Sequence, residues 1–82
     1  MTEAELQQLI FDGLRKIAPE SDPASLRPDQ KIRETLDIDS FDFLNFLIAL
    51  DERLRVEIPE ADYGKLNTLD GMVRYLLAKL PK

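Results

Sequence analysis

An all-α fold, a small bundle of three longer helices and one short one, is what the sequence predicts, and three observations carry that prediction. Apolar residues recur at helical spacing near the start of the chain, at Leu6, Leu9, Ile10, Leu14 and Ile17. A second run, from Phe41 to Leu50, is apolar almost all round, as in a central helix that contacts several neighbours. A third set, Leu69, Met72, Val73, Leu76 and Leu77, returns to the one-faced pattern. The 82 residues suffice for one domain, 1–82, and not for two. A domain of this size buries only roughly 60–65% of its unfolded surface, so modest stability is expected.

Taken in order, the first helix is set by Thr2 and Glu5, which have the spacing of a capping box. It runs from about residue 3 to residue 18, and Pro19 ends it. Gly13 inside it marks a weak spot, or a place where another backbone comes close. Residues 19–38 hold Pro19, Pro23, Pro28 and several Ser and Asp, and form a long connection. Such connections are functional or packed by their own side chains. Leu26, Ile32 and Leu36 are its expected anchors, with 32–36 a short turn. The second helix spans about Ser40 to Leu54, capped by Asp39, with Asp42 in the first turn where the helix dipole favours negative charge. Residues 55–59 form an extended link, because the residue before Pro59 avoids helical geometry. A short third helix covers about 60–65. Thr68 caps the final helix, which reaches about Leu80, and Pro81-Lys82 is a frayed end.

Composition removes several function classes. There is no cysteine, hence no disulfide framework, zinc ribbon or thiol nucleophile. There is no histidine, the side chain most used for proton transfer near neutral pH. With no glycine-rich phosphate loop either, no catalytic residue is assigned and an autonomous enzyme is disfavoured. Met1-Thr2-Glu3-Ala4-Glu5 is acidic where a secretory signal is basic. The longest apolar run, Phe46 to Leu50, is far short of a membrane span, so no stable membrane insertion is expected. A cytoplasmic monomer is the expectation. The net charge of −5 is unevenly spread: residues 39–62 carry seven acids and two bases, whereas residues 63–82 carry one acid and four bases. An acidic middle argues against nucleic acid, which needs clustered Lys and Arg. It suits docking to basic patches on other proteins, or simply a solvated surface. Asp39 and Asp42, two carboxylates one turn apart, are too few for a metal site, so none is assigned.

The densest information lies in Leu36-Asp37-Ile38-Asp39-Ser40-Phe41-Asp42-Phe43-Leu44. A serine stands where a polar loop meets the first turn of an apolar helix. Helix N-termini present unpaired N–H groups and partial positive charge, and a phosphate on that serine would be held by both. By itself, a serine at such a junction also reads as an ordinary helix cap.

The chain resembles the acyl carrier protein family. Leu36-x-Ile38-Asp39-Ser40-Phe41-Asp42-x-Leu44 matches, and so does Ala49-Leu50-Asp51-Glu52-Arg53-Leu54-x-Val56-Glu57-Ile58-Pro59 at the right distance. Leu66-Asn67-Thr68-Leu69 resembles the approach to the family's last helix. The resemblance covers about residues 30–80 and implies a bundle of acyl-carrier type. It implies that Ser40 bears a covalent 4′-phosphopantetheine arm, with Asp39 and Phe41 beside it. A phosphopantetheinyl transferase would install the arm from coenzyme A. Acyl groups would then ride on it as thioesters between acyl-loading ligases or synthases and acyltransferases of fatty-acid, lipid or a specialised acyl biosynthesis. With no thiol of its own, the chain relies on the cofactor for one. Asp42, Asp51, Glu52, Glu57, Glu60 and Asp62 become candidate contacts for basic patches on those enzymes. Asp37 stands where the family commonly has glycine, and aspartate tolerates left-handed geometry better than most residues. Phe41, Asn45 and Gly64 also depart from the family pattern; the last two lower the recognition charge and point to a dedicated pathway. Two alternatives stand beside this reading: an aminoacyl or peptidyl carrier with the same attachment chemistry, and a non-enzymatic acidic helical interaction module.

Overall fold

A computed structural model of the chain describes residues 1–80; the frayed end expected at 81–82 lies outside the described residues. Four α-helices, α1 (Glu3–Ile17), α2 (Ile32–Leu36), α3 (Ser40–Leu54) and α4 (Leu69–Lys79), are joined with 3-10 stretches at Pro23–Ser25 and Glu60–Leu66. Among the described residues there is no strand, and the fold is a small helical bundle.

The capping box at the start of α1 forms as its sequence dictates. Thr2 Oγ1 accepts from the Glu5 amide and Glu5 Oε1 from the Thr2 amide, both at 3.1 Å. Those bonds from Thr2 hold the Glu5 carboxyl below its ordinary range. Leu6, Ile10 and Leu14, each four residues from the next, are completely buried. Each contributes roughly 1.5–3 kcal/mol of transfer free energy. The close approach at Gly13 is made by a side chain and not, as expected, by a backbone: a Cβ there would lie 2.6 Å from Cε1 of Phe46. That ring is backed by Phe43, with centroids 5.9 Å apart.

The long connection is pinned throughout. Pro23, Leu26, Ile32 and Leu36 are buried. Its backbone is fastened to the approach to α4 by Ile32 N–H to Asn67 O at 2.8 Å and Asp70 N–H to Pro28 O at 2.9 Å. The short turn expected at 32–36 is a turn and a half of α-helix. It has no side-chain cap. Ile32 and Leu36, four apart, hold it by burial on one face.

α3 is less central than its composition predicts. Phe43, Phe46, Leu47, Leu50 and Leu54 enter the core, but Phe41, Leu44 and Ile48 are 70%, 38% and 43% exposed. Their spacing of three and four residues gathers them into one outward stripe. Beyond α3 the link opens with Arg55 in left-handed geometry at φ 55° and then alternates Val56 and Ile58 inward. Asp51 Oδ2 accepts from the Ile58 amide at 3.1 Å and ties the link to the helix. The short third helix is 3-10 rather than α and is anchored by Leu66. Thr68 caps α4, accepting from the Gly71 amide at 3.0 Å.

Candidate functional site

Ser40 is framed by a run of alternating burial. Leu36 and Ile38 point into the core, while Asp37 and Asp39 stay outside. Asp37 adopts φ 53°, ψ 50°, the left-handed geometry that its place in the sequence calls for. Its amide and that of Ile38 both return to the Arg33 carbonyl, the latter at 3.0 Å, closing α2 in a Schellman-type turn. Asp39 is then extended, at φ −72° and ψ 164°, and its Oδ1 accepts from the Asp42 amide at 2.8 Å. Asp39 is therefore the cap, and Ser40 is the first helical residue. The ordinary-cap reading of Ser40 is thereby removed: its exposed hydroxyl has no hydrogen-bond partner among the described residues. The Ser40 and Phe41 amides likewise donate to no protein oxygen among the described residues. Two free N–H groups, the positive end of a 15-residue helix and an open hydroxyl fit a phosphate esterified to Ser40.

Beside Ser40 lies a depression of about 310 Å³. Phe43 and Leu47 form its floor, and Arg33, Glu60, Tyr63 and Asn67 its polar rim. A larger groove of about 450 Å³ runs between α1 and α3 past Gly13 and Ala49. At about 100° per residue, Ala49 stands half a revolution from Ser40, so that groove belongs to the opposite side of α3.

The acids singled out in the sequence do not converge on one face. On α3, Asp42, Asp51 and Glu52 fall about 200°, 20° and 120° round the helix from Ser40. Asp51 is already bonded to the Ile58 amide. Asp62 accepts from the Tyr75 hydroxyl at 2.7 Å and pairs with Lys65 at 3.3 Å, which holds its carboxyl below the ordinary range. Burial first, and the bond to Asp62 second, push Tyr75 up to about 12. Glu52, Glu57 and Glu60 are exposed, and Glu60 alone of these acids shares the depression with Ser40. Phe41 stands out in solvent next to Ser40. Leu44 and Ile48, read from the sequence as core, stand with it. Their signal was present in the sequence: 41, 44 and 48 form a stripe offset from 43, 46, 47, 50 and 54. Among the described residues no group of three or more His, Cys, Asp or Glu is placed to hold a metal ion, and no helix is long and apolar enough to cross a membrane.

Comparison with known proteins agrees with this geometry. The family described as "Phosphopantetheine attachment site" matches over residues 11–76, a span that contains Ser40 and the whole of α3. The chain is 34% identical to the acyl carrier protein of Campylobacter curvus over 70 residues, covering 82% of this chain and 91% of that protein. It is 36% identical to the acyl carrier protein of Campylobacter lari, with the same coverage of 82% and 91%. It is 31% identical to that of Wolinella succinogenes, covering 82% of this chain and 92% of the relative. A capped helix start with an open serine, set in a bundle matched over this span, leads to one conclusion: the chain belongs to the acyl carrier protein family.

Proposed function

We propose that Ser40 is the residue that receives the 4′-phosphopantetheine arm, and that the chain ferries acyl groups between enzymes without catalysing a reaction itself. One observation supports this above the others. Within the family match, Ser40 presents a solvent-exposed hydroxyl at the first position of α3 while its neighbour Asp39 does the capping. The arm supplies the thiol on which an acyl group is held as a thioester, a chemistry the chain's own side chains lack. The protein's part is to hold the attachment point still. Leu36 and Ile38 fix the loop, Asp39 fixes the helix start, and the amides of Ser40 and Phe41 are left free to donate to the phosphate. Flexibility in the arm then lets one cargo visit several enzymes at high effective concentration.

Partner recognition in this reading begins with a phosphopantetheinyl transferase and continues with acyl-loading and acyl-accepting enzymes in the cytoplasm. The exposed stripe Phe41, Leu44 and Ile48 provides the apolar centre of the contact. Glu52 stands nearest the stripe on α3, and Asp42, Glu57 and Glu60 add negative charge on neighbouring faces that meets basic patches. Asp51 and Asp62, already bonded within the fold, contribute charge more than hydrogen bonds.

The test is intact-mass measurement after incubation with coenzyme A, magnesium and a broad-specificity transferase. The wild type gains one pantetheine phosphate, mapped to Ser40, and Ser40→Ala gains none. An unmodified wild type, or an adduct that persists in Ser40→Ala, overturns the assignment. Normal partner binding and cellular function in Ser40→Ala would favour the interaction-module alternative instead.

A further inference from the structure

The surroundings of Ser40 pose an electrostatic problem. Glu34, Asp37, Asp39 and Asp42 all lie within six residues of it, and from residue 34 to residue 52 there is no lysine or arginine. A phosphodiester on Ser40 places a fifth negative charge among four carboxylates. The partial charge of the helix end offsets only about half an elementary charge, and within the first turn alone.

One cation shares the depression beside Ser40, and it is Arg33. Its Nε donates a long bond, 3.5 Å, to the carbonyl of Ile38, which lays the side chain along the turn leading to Asp39 and Ser40. The guanidinium makes no ion pair with any carboxylate among the described residues, despite the acids around it. A guanidinium carries five N–H donors in a planar fork, so four remain for an oxyanion. Lys31 is the contrasting case. It lines the adjoining depression together with Arg33, but its ammonium already lies 3.9 Å from Glu34.

We propose that Arg33 is the positioning residue for the arm: its guanidinium pairs with the phosphodiester oxygens on Ser40 and sets the direction in which the arm leaves the protein. The proposal rests on Ser40 being the attachment site. Arg33 touches neither the thiol nor the acyl group, and the transfer of cargo does not run through it. Its function is to neutralise and orient the first anionic link.

The experiment compares the unmodified and arm-bearing forms of the wild type, Arg33→Ala, Arg33→Lys and Lys31→Ala. Intact mass first establishes the adduct on Ser40 in each. Urea unfolding at low salt then gives the change in folding equilibrium caused by attaching the arm. In Arg33→Ala the arm lowers the folding constant about two- to fivefold more than in the wild type, the range measured for exposed ion pairs. That excess shrinks as salt rises. Arg33→Lys retains part of the wild-type behaviour, and Lys31→Ala retains all of it. In the nitrogen–proton spectrum of the wild type, the Arg33 Nε–H resonance moves on attachment and the phosphorus resonance differs from that of Arg33→Ala. An adduct on Ser40 with a stationary Arg33 resonance and equal effects of the arm in all four proteins overturns the proposal and leaves the Ser40 assignment standing. Absence of any adduct overturns both.

Discussion

Gly13→Ala sets two known effects against each other at one atom. On an exposed helix position the change would stabilise by about 0.8–1 kcal/mol, since glycine is that much poorer a helix former than alanine. At Gly13 the new methyl would sit 2.6 Å from Cε1 and 3.0 Å from Cδ1 of Phe46. The ring is 3% exposed and backed by Phe43, and turning away from the methyl would carry it out into the groove it lines between α1 and α3 and forfeit that burial. Inserting a methyl into a packed site of this kind costs about 1–3 kcal/mol. The net expectation is destabilisation of about 1 kcal/mol, which in a domain this size lowers Tm by about 4–8 °C. Urea unfolding followed by far-ultraviolet circular dichroism reads the sign directly. The decisive control is the same change in a Phe46→Leu background, which removes Cε1. There Gly13→Ala should stabilise, by up to about 1 kcal/mol, because the shortest contact is gone and the helix term dominates. Stabilisation of the wild type, or the same sign in both backgrounds, would refute the argument that the ring dictates glycine.

Three further outcomes are expected. Asp39→Ala removes the 2.8 Å bond to the Asp42 amide and should destabilise by about 1 kcal/mol, with Asp39→Asn close to wild type; equal losses in both would mean the cap is not what matters. The Tyr75–Asp62 bond shapes both pH limits. Tyr75 is raised from 10 to about 12, so its contribution is complete below pH 10 and lost as pH rises towards 12. Asp62 is lowered from 3.8, so its contribution is present above that value and lost as pH falls through the lower folded value. Tyr75→Phe should flatten both limbs of a plot of urea midpoint against pH, and unchanged limbs would reject the pairing. Phe41→Ala, at a side chain 70% exposed, should leave stability within about 0.5 kcal/mol. It should still lower kcat/KM for the modifying transferase about fivefold or more, as loss of an aromatic contact at an interface centre does. An unchanged kcat/KM would move recognition away from the stripe.

The long helices were legible because each is announced by local chemistry. Thr2, Asp39 and Thr68 cap α1, α3 and α4 through their own side chains, and the bounds 40–54 of α3 follow directly from Asp39 and the apolar run. Ser40 was legible as a special position for the same reason, since the cap and the hydroxyl fall on adjacent residues. The parts that escaped are decided by neighbours far away in the chain. α2 has no cap of its own and exists because Ile32 and Leu36 find the core. Gly13 is explained by a ring 33 residues later. Leu44 and Ile48 fall in sequence on a stripe separate from 43, 46, 47, 50 and 54, but which of the two apolar stripes lacks a neighbour is decided by the packing of the other helices. Nothing in the sequence sets Arg33 apart from Arg27 and Lys31 in the same connection; the fold does so by bringing it into one depression with Ser40.

The two backbone links from Pro28 and Ile32 to Asp70 and Asn67 act as a clasp across nearly forty residues. A chain emerging from the ribosome cannot fasten it until Asn67 and Asp70 have been made. The loop that presents the serine is thus among the final parts to lock. If Ser40 is the attachment site proposed above, its transferase meets the serine only once α4 is in place, and any truncation that loses this helix should leave the hydroxyl intact but poorly displayed.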